Sequence, residues 1–161
     1  MQLIQTIELT QTTANVNFYN IPQDGIDLVL MVSSRGNSTV NALCKINNLS
    51  TSCPQIAIGA DSPPTTVSGS YANNNGIFIY NNKSTSTAGT YNNHKLHIPN
   101  YTRNSEKVAY TEVVREDLGA LNNIRSVAVR INIEDPVFNL RLVGDDYVSG
   151  SVFSLYKITA D

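Results

Sequence analysis

The stretch Thr13–Ser34, TANVNFYNIPQDGIDLVLMVSS, decides the fold class. Val16 and Phe18 fall on one side of an extended backbone and Asn15, Asn17 and Tyr19 on the other, the period-two pattern of a half-buried strand. Pro22 and the Asp24-Gly25 pair cannot continue a ladder comfortably, so Ile21-Pro22-Gln23-Asp24-Gly25 reads as a turn. Leu28-Val29-Leu30-Met31-Val32 then forms a dense apolar run, the expectation for a strand covered on both faces. An alternating strand, a turn and a solid strand imply layered β structure.

The same signals recur along the chain, and helical periodicity is nearly absent. Candidate strands are Leu3–Leu9, Thr13–Tyr19, Asp27–Ser34, Thr39–Ile46, Thr66–Tyr71, Gly76–Tyr80, His94–Pro99, Lys107–Arg115, Ile124–Glu134, Val137–Val143 and Ser151–Ile158. The strongest alternation sets Val127, Val129, Ile131 and Ile133 against Ser126, Ala128, Arg130 and Asn132. Asn73-Asn74-Asn75-Gly76 is a hairpin signal, because Asn and Gly tolerate positive φ. Arg115–Leu121 is the one plausible helical turn. Asn47–Ser70 and Asn81–Asn93, rich in Ser, Thr, Asn and Gly, read as loops at the ends of the layers. The expected fold is all-β: an antiparallel, jelly-roll-like β-sandwich of about ten strands. No linker or repeat divides it, so 1–161 reads as a single domain.

Size supports that view. A chain of 161 residues buries roughly two thirds of its unfolded surface and needs neither disulfide nor metal to fold. Charged residues make up only 15%, against a norm of ~25%, and amide and hydroxyl side chains supply the missing polarity. The net charge of −2 offers no basic stripe for phosphates, so no nucleic-acid partner is expected. No apolar run is long enough to span a bilayer, and Met1–Thr6 lacks the features of a secretory signal. A protein made in the cytoplasm, with no membrane partner, is the expectation. Cys44 shares a face with Val40, Ala42 and Ile46 and reads as a small core residue; a bridge from Cys44 to Cys53 has no support in the spacing.

The motifs of catalysis are missing. His94 and His97, three apart, face opposite sides of a strand and read as solvated or hydrogen-bonded groups, not metal ligands. Glu112, Glu116-Asp117, Glu134-Asp135 and Asp145-Asp146 show no spacing that selects a catalytic pair. Asp145-Asp146 reads as a turn rather than a calcium loop. There is no nucleophile elbow, P-loop or dinucleotide fingerprint, so neither an enzyme nor a cofactor is expected. Tyrosine is the enriched aromatic, with 8 Tyr against 4 Phe and no Trp. Tyr71, Tyr91 and Tyr101, at strand ends or in loops, are the candidate surface-recognition residues, because a tyrosine offers a flat apolar face and a hydroxyl.

Two segments resemble a known family. Asn17-Phe18-Tyr19-Asn20-Ile21-Pro22-Gln23, then Asp27-Leu28-Val29-Leu30 and Ser33-Ser34-Arg35, resemble the opening of small tailed-bacteriophage virion proteins. Ser149-Gly150-Ser151-Val152-Phe153-Ser154-Leu155-Tyr156 is similar to their closing strand. Where that family often carries Asn-Gly-Asp after the third strand, this chain has Lys45-Ile46-Asn47-Asn48. The resemblance implies a non-enzymatic virion component, assembled in the host cytoplasm, that docks on a capsid (decoration or cement) or on a tail. Its expected partners are other virion proteins and further copies of itself. The first strand, with Leu3, Ile4, Ile7 and Leu9, is the candidate docking element. The alternative is a carbohydrate-binding module that attaches to a host-surface glycan through Tyr71, Tyr91 and Tyr101.

Overall fold

The computed structural model describes residues 1–37, 42–48, 53–61, 65–71, 75–79, 88–115 and 124–160, with the side chains at 60–71, 115 and 145 outside that description. These residues form twelve strands and no helix. The first six are β1 (Gln2–Glu8), β2 (Thr13–Phe18), β3 (Asp27–Ser34), β4 (Ala42–Ile46), β5 (Gln55–Asp61) and β6 (Thr65–Tyr71). The rest are β7 (Ile77–Ile79), β8 (Asn92–Ile98), β9 (Lys107–Arg115), β10 (Ile124–Ile131), β11 (Leu140–Tyr147) and β12 (Val152–Ile158). An eight-stranded sheet runs β1-β12-β3-β8-β9-β10-β5-β6 and a four-stranded sheet runs β2-β11-β4-β7. Every paired strand is antiparallel to its neighbour.

Set aside the hairpins β5–β6 and β9–β10, and the remaining strands alternate between the sheets in chain order except at β4 and β7, which follow one another within the small sheet. That leaves β1-β12-β3-β8 facing β2-β11-β4-β7, the strand order of a jelly roll. The two hairpins extend the first sheet by four strands beyond the width of the second. Their inner faces are nonetheless buried: Ala57, Ala109, Val113, Val127 and Val129 all belong to the core. The large sheet therefore curls around the small one, and the Gln55 amide on β5 reaches the edge strand β7.

Packing follows the alternation. Val16 and Phe18 are buried, while Tyr19 is exposed; Val127, Val129, Ile131 and Ile133 are buried against exposed Ser126, Ala128, Arg130 and Asn132. On β3, Leu28, Val29, Leu30 and Val32 are buried, but Met31 is 43% exposed. Coverage on both faces is therefore only partial, because among the described residues no second layer lies on the outside of the large sheet.

Several boundaries differ from expectation. Asn47–Ser70 is not one loop, since it holds β5 and most of β6, and the strand count is twelve. β8 begins at Asn92, inside a stretch expected to be loop. β10 stops at Ile131, where the Ile133 N–H turns back onto the Ile131 carbonyl. β11 starts at Leu140 because Pro136–Asn139 is held by Asn47, whose side chain donates to the Pro136 carbonyl and accepts the Phe138 N–H. The Arg115–Leu121 turn beyond Arg115, and Asn73 and Asn74 of the Asn73–Gly76 hairpin, lie outside the described residues.

One end of the sandwich is tightly knitted. Lys107, 1% exposed, donates from Nζ to the carbonyls of Arg103, Ser105 and Glu134. Burial lowers its pKa, with Asp135 and Glu134 opposing. Lys157 is buried on β12 and its ammonium meets both carboxylate oxygens of Asp24, at 2.6 and 2.5 Å. That hydrogen bond holds the Asp24 carboxyl below its ordinary range. Gln23 donates to the carbonyls of Ile21 and Val137. The turn expected at Ile21–Gly25 is thus pinned from two sides, by Lys157 and by the Val137 carbonyl.

Candidate functional site: the uncovered face of the large sheet

On β5 and β9 the usual alternation is inverted. Gln55, Ala57 and Gly59 of β5 point inward, and Ile56 and Ile58 point out, 60% and 61% exposed. On β9 the inward positions are Lys107, Ala109, Thr111 and Val113, and the outward ones include Val108, Tyr110 and Val114, each about half exposed. Ile124 at the start of β10 is also exposed. Large apolar side chains thus face water on adjacent strands while small and polar ones face the core. A contiguous apolar patch of this kind marks an interaction surface more often than scattered hydrophobes do.

Register assembles the patch. Tyr110, Ala128 and Ile56 form one row across β9, β10 and β5; Glu112, Ser126 and Ile58 form the next; Val114 and Ile124 belong to a third. The outward positions at the middle of β10 are the small residues Ser126 and Ala128, with Tyr110 on one side and Ile56 and Ile58 on the other. The result is a trough, and its lower part is a shallow depression lined by Ile56, Val108, Tyr110, Ala128 and Arg130. A second shallow depression on the same face lies over β12, β3, β8 and β9, between Met31, Lys95, Glu112, Val114 and Ser154.

The charged side chains described on and around this face are paired. Lys95 Nζ lies 3.4 Å from Glu112, and Arg130 donates to Glu106 at 2.6 Å, a bond that raises the guanidinium pKa further. His97 contacts Asp27 at 2.9 Å, and the other Asp27 oxygen accepts the Asn100 N–H. The face as a whole is apolar and hydroxyl-lined with its charges neutralised in pairs.

The candidate tyrosines do not converge. Tyr101 is fully buried, with its hydroxyl donating to the Pro22 carbonyl, so its expected surface role is corrected: it seals the core under the Ile21–Gly25 turn. Burial raises its pKa. Tyr91 is half-buried at the opposite end and donates to the Ser149 carbonyl at 3.3 Å. Gly150 is required beneath it, since φ is +86° and an added Cβ would lie 2.7 Å from the Tyr91 hydroxyl. Tyr71 closes β6 opposite Gln55, at the Tyr101 end, and its side chain is outside the described residues. A platform shared by Tyr71, Tyr91 and Tyr101 is therefore not formed.

β1 is an edge strand paired only with β12. Leu3 is exposed, whereas Ile4, Ile7 and Leu9 pack against the core. Leu9 lies just past the strand and exchanges backbone hydrogen bonds with Gly150 and Ser151. Of the four docking candidates, Leu3 alone is largely exposed.

The remaining polar candidates are dispersed. His94 is 3% exposed on the inner face of β8, with no hydrogen-bond partner at either ring nitrogen, and desolvation lowers its pKa to about 3. The expectation of a solvated or hydrogen-bonded ring fails for His94 and holds for His97. Cys44 and Cys53 are core thiols not joined in a disulfide, and burial pushes Cys44 up to about 12. Among the described residues no three His, Cys, Asp or Glu side chains gather to hold a metal, and no helix is long and apolar enough to cross a membrane. No family model matches the chain, and no curated protein matches it in sequence.

The apolar residues Ile56, Ile58, Val108, Tyr110, Val114 and Ile124 were not among the sequence candidates. Their signal was present as alternation of the wrong sign: in Gln55–Gly59 the large residues occupy one parity and the small or polar ones the other.

Proposed function

We propose that this chain is a non-enzymatic structural protein of a tailed-phage virion, present in many copies and docking on the capsid or the tail. The observation that carries the proposal is the uncovered outer face of the large sheet, where Ile56, Ile58 and Ile124 are each about 60% exposed beside Tyr110 and Val114. A face of that kind offers adhesion, not chemistry. The resemblance at both ends of the chain supplies the virion setting. The jelly-roll strand order agrees with it by analogy of fold, since viral capsid and lectin domains share that order. The carbohydrate-binding alternative has less to stand on, because Tyr101 is buried and Tyr91 lies at the other end of the sandwich.

The test is recovery of the chain from density-purified particles of the phage that encodes it, with copy number measured against the major capsid protein. Multiple copies per particle are expected; a chain left wholly in the soluble lysate would overturn the proposal. Leu3→Lys, at an exposed edge position, asks whether β1 contributes to docking. It is a cleaner probe than truncation, which would remove Ile4, Ile7 and Leu9 from the core.

A further inference from the structure

We propose that the outer face of β9, β10 and β5 binds a second copy of this chain, with β5 of each copy lying over β10 of the other. The inference rests on the structural-protein proposal but names the partner of that face and carries its own assay.

Shape is the first argument. Ile56 and Ile58 form a ridge on β5, and their ladder neighbours on β10 are Ala128 and Ser126, the floor of the trough. Ridge and trough lie side by side on one surface. A two-fold axis in the interface, parallel to the strands and between β5 and β10, carries each ridge onto the partner's trough. Both contacts close at once, as an isologous interface requires. Two sheet faces meeting this way pack about 10 Å apart with strands nearly aligned, an arrangement already used inside sandwiches.

Area is the second argument. Ile56, Ile58, Val108, Tyr110, Val114 and Ile124 together expose on the order of 600 Å² of side chain, from their fractional exposures. With the small residues of β10 and the polar margin, that approaches the ~800 Å² each partner contributes to a standard interface. Tyr19 and Phe138, also exposed, sit apart in loops at the other surface and build no comparable face.

Charge is the third. Lys95 is paired with Glu112 and Arg130 with Glu106, so these described charges of the face are balanced and do not repel its own copy. Nothing on it favours a strongly charged partner.

The experiment is sedimentation equilibrium of the full chain, wild type and variants. The wild type should dimerise with a dissociation constant of about micromolar order. Ile58→Lys should weaken association at least ~10-fold, because a central apolar contact is replaced by a charge. Ala128→Lys, filling the trough, should do the same, and Tyr19→Lys should leave the dimer intact. All three positions are exposed, so unfolding midpoints should hold. Mixing separately purified Ser126→Cys and Ile58→Cys chains with a short bismaleimide, whose reach suits faces about 10 Å apart, should give a cross-linked pair, which neither chain gives as efficiently alone. A wild type that stays monomeric to about 100 µM, or a dimer indifferent to Ile58→Lys and Ala128→Lys, would overturn the inference. Neither result bears on whether the chain is found in purified particles, which tests the broader proposal separately.

Discussion

Gln55 on the large sheet accepts the backbone N–H of Phe78 on the small sheet, at 3.1 Å. The same amide donates to the Gly76 carbonyl at 2.9 Å. Phe78 lies in β7, the short outer strand of the small sheet, which pairs with β4 on one side and ends the sheet among the described residues. One side-chain amide therefore supplies to that edge the donor and acceptor that another backbone would offer. Gln55 itself is 1% exposed, and its bond to the Gly76 carbonyl is buried, so water is a poor substitute for the amide there.

Gln55→Leu keeps the volume but abandons both backbone groups. A buried unpaired donor or acceptor costs about 1–3 kcal/mol, so the variant should lose about 2–4 kcal/mol of stability. Denaturant unfolding monitored by circular dichroism checks this. A loss below about 0.5 kcal/mol would mean that water reaches β7 and that the amide does not join the sheets.

Gly25 and Tyr101 form a second coupled pair. A Cβ at Gly25 would lie 2.9 Å from the Tyr101 hydroxyl and 3.1 Å from Lys157 Cβ, so the turn can sit on the tyrosine only if residue 25 has no side chain. Gly25→Ala should cost about 1–3 kcal/mol by overpacking, and Tyr101→Phe about 1–2 kcal/mol through the lost bond to the Pro22 carbonyl. Because the phenylalanine removes one of the clashing atoms, the double variant should be less destabilised than the sum. Strict additivity in a double-mutant cycle would show that the two do not compete for the same space.

These cases show where the sequence was informative. β2, β3 and β10 were legible because large apolar residues fill their inward positions: Val16 and Phe18, Leu28 and Leu30, Val127 and Val129. β5 was not, because Gln55, Ala57 and Gly59 face inward, and a pattern of small and polar residues gives no signal of a core strand. Its inward side is specified by a partner distant in sequence, the β7 edge, which periodicity cannot anticipate. Asp24-Gly25 was read correctly as a turn, but for its conformational freedom; the structure adds that residue 25 must leave room for Tyr101. Tyr101 itself, in a segment without alternation, gave no hint of burial. The apolar face went unrecognised even where β9 and β10 were read as strands, since periodicity marks a strand without saying which of its faces meets the core. Faces that break the inward-apolar rule are where interaction surfaces are expected.

His94 makes the fold sensitive to acid. The ring is buried on β8, with Val32 of β3 and Val113 of β9 as its ladder neighbours and no partner at either nitrogen, so a proton there is strongly disfavoured. Its pKa is about 3 in the folded chain, against 6.5 for an ordinary histidine. Between those values the unfolded chain binds a proton that the folded chain refuses, so stability is highest above pH 6.5 and falls as pH drops toward 3. The steepest slope is about 1.4 kcal/mol per pH unit. His94→Leu removes this dependence and also two unsatisfied ring nitrogens. It should match or exceed the wild type in stability at neutral pH, and its advantage should widen by about 2–3 kcal/mol at about pH 4.5. Contributions from groups common to both proteins cancel in the difference. Urea unfolding of both chains across that range measures it, and parallel pH profiles would show that the His94 ring reaches solvent or a partner in the folded state.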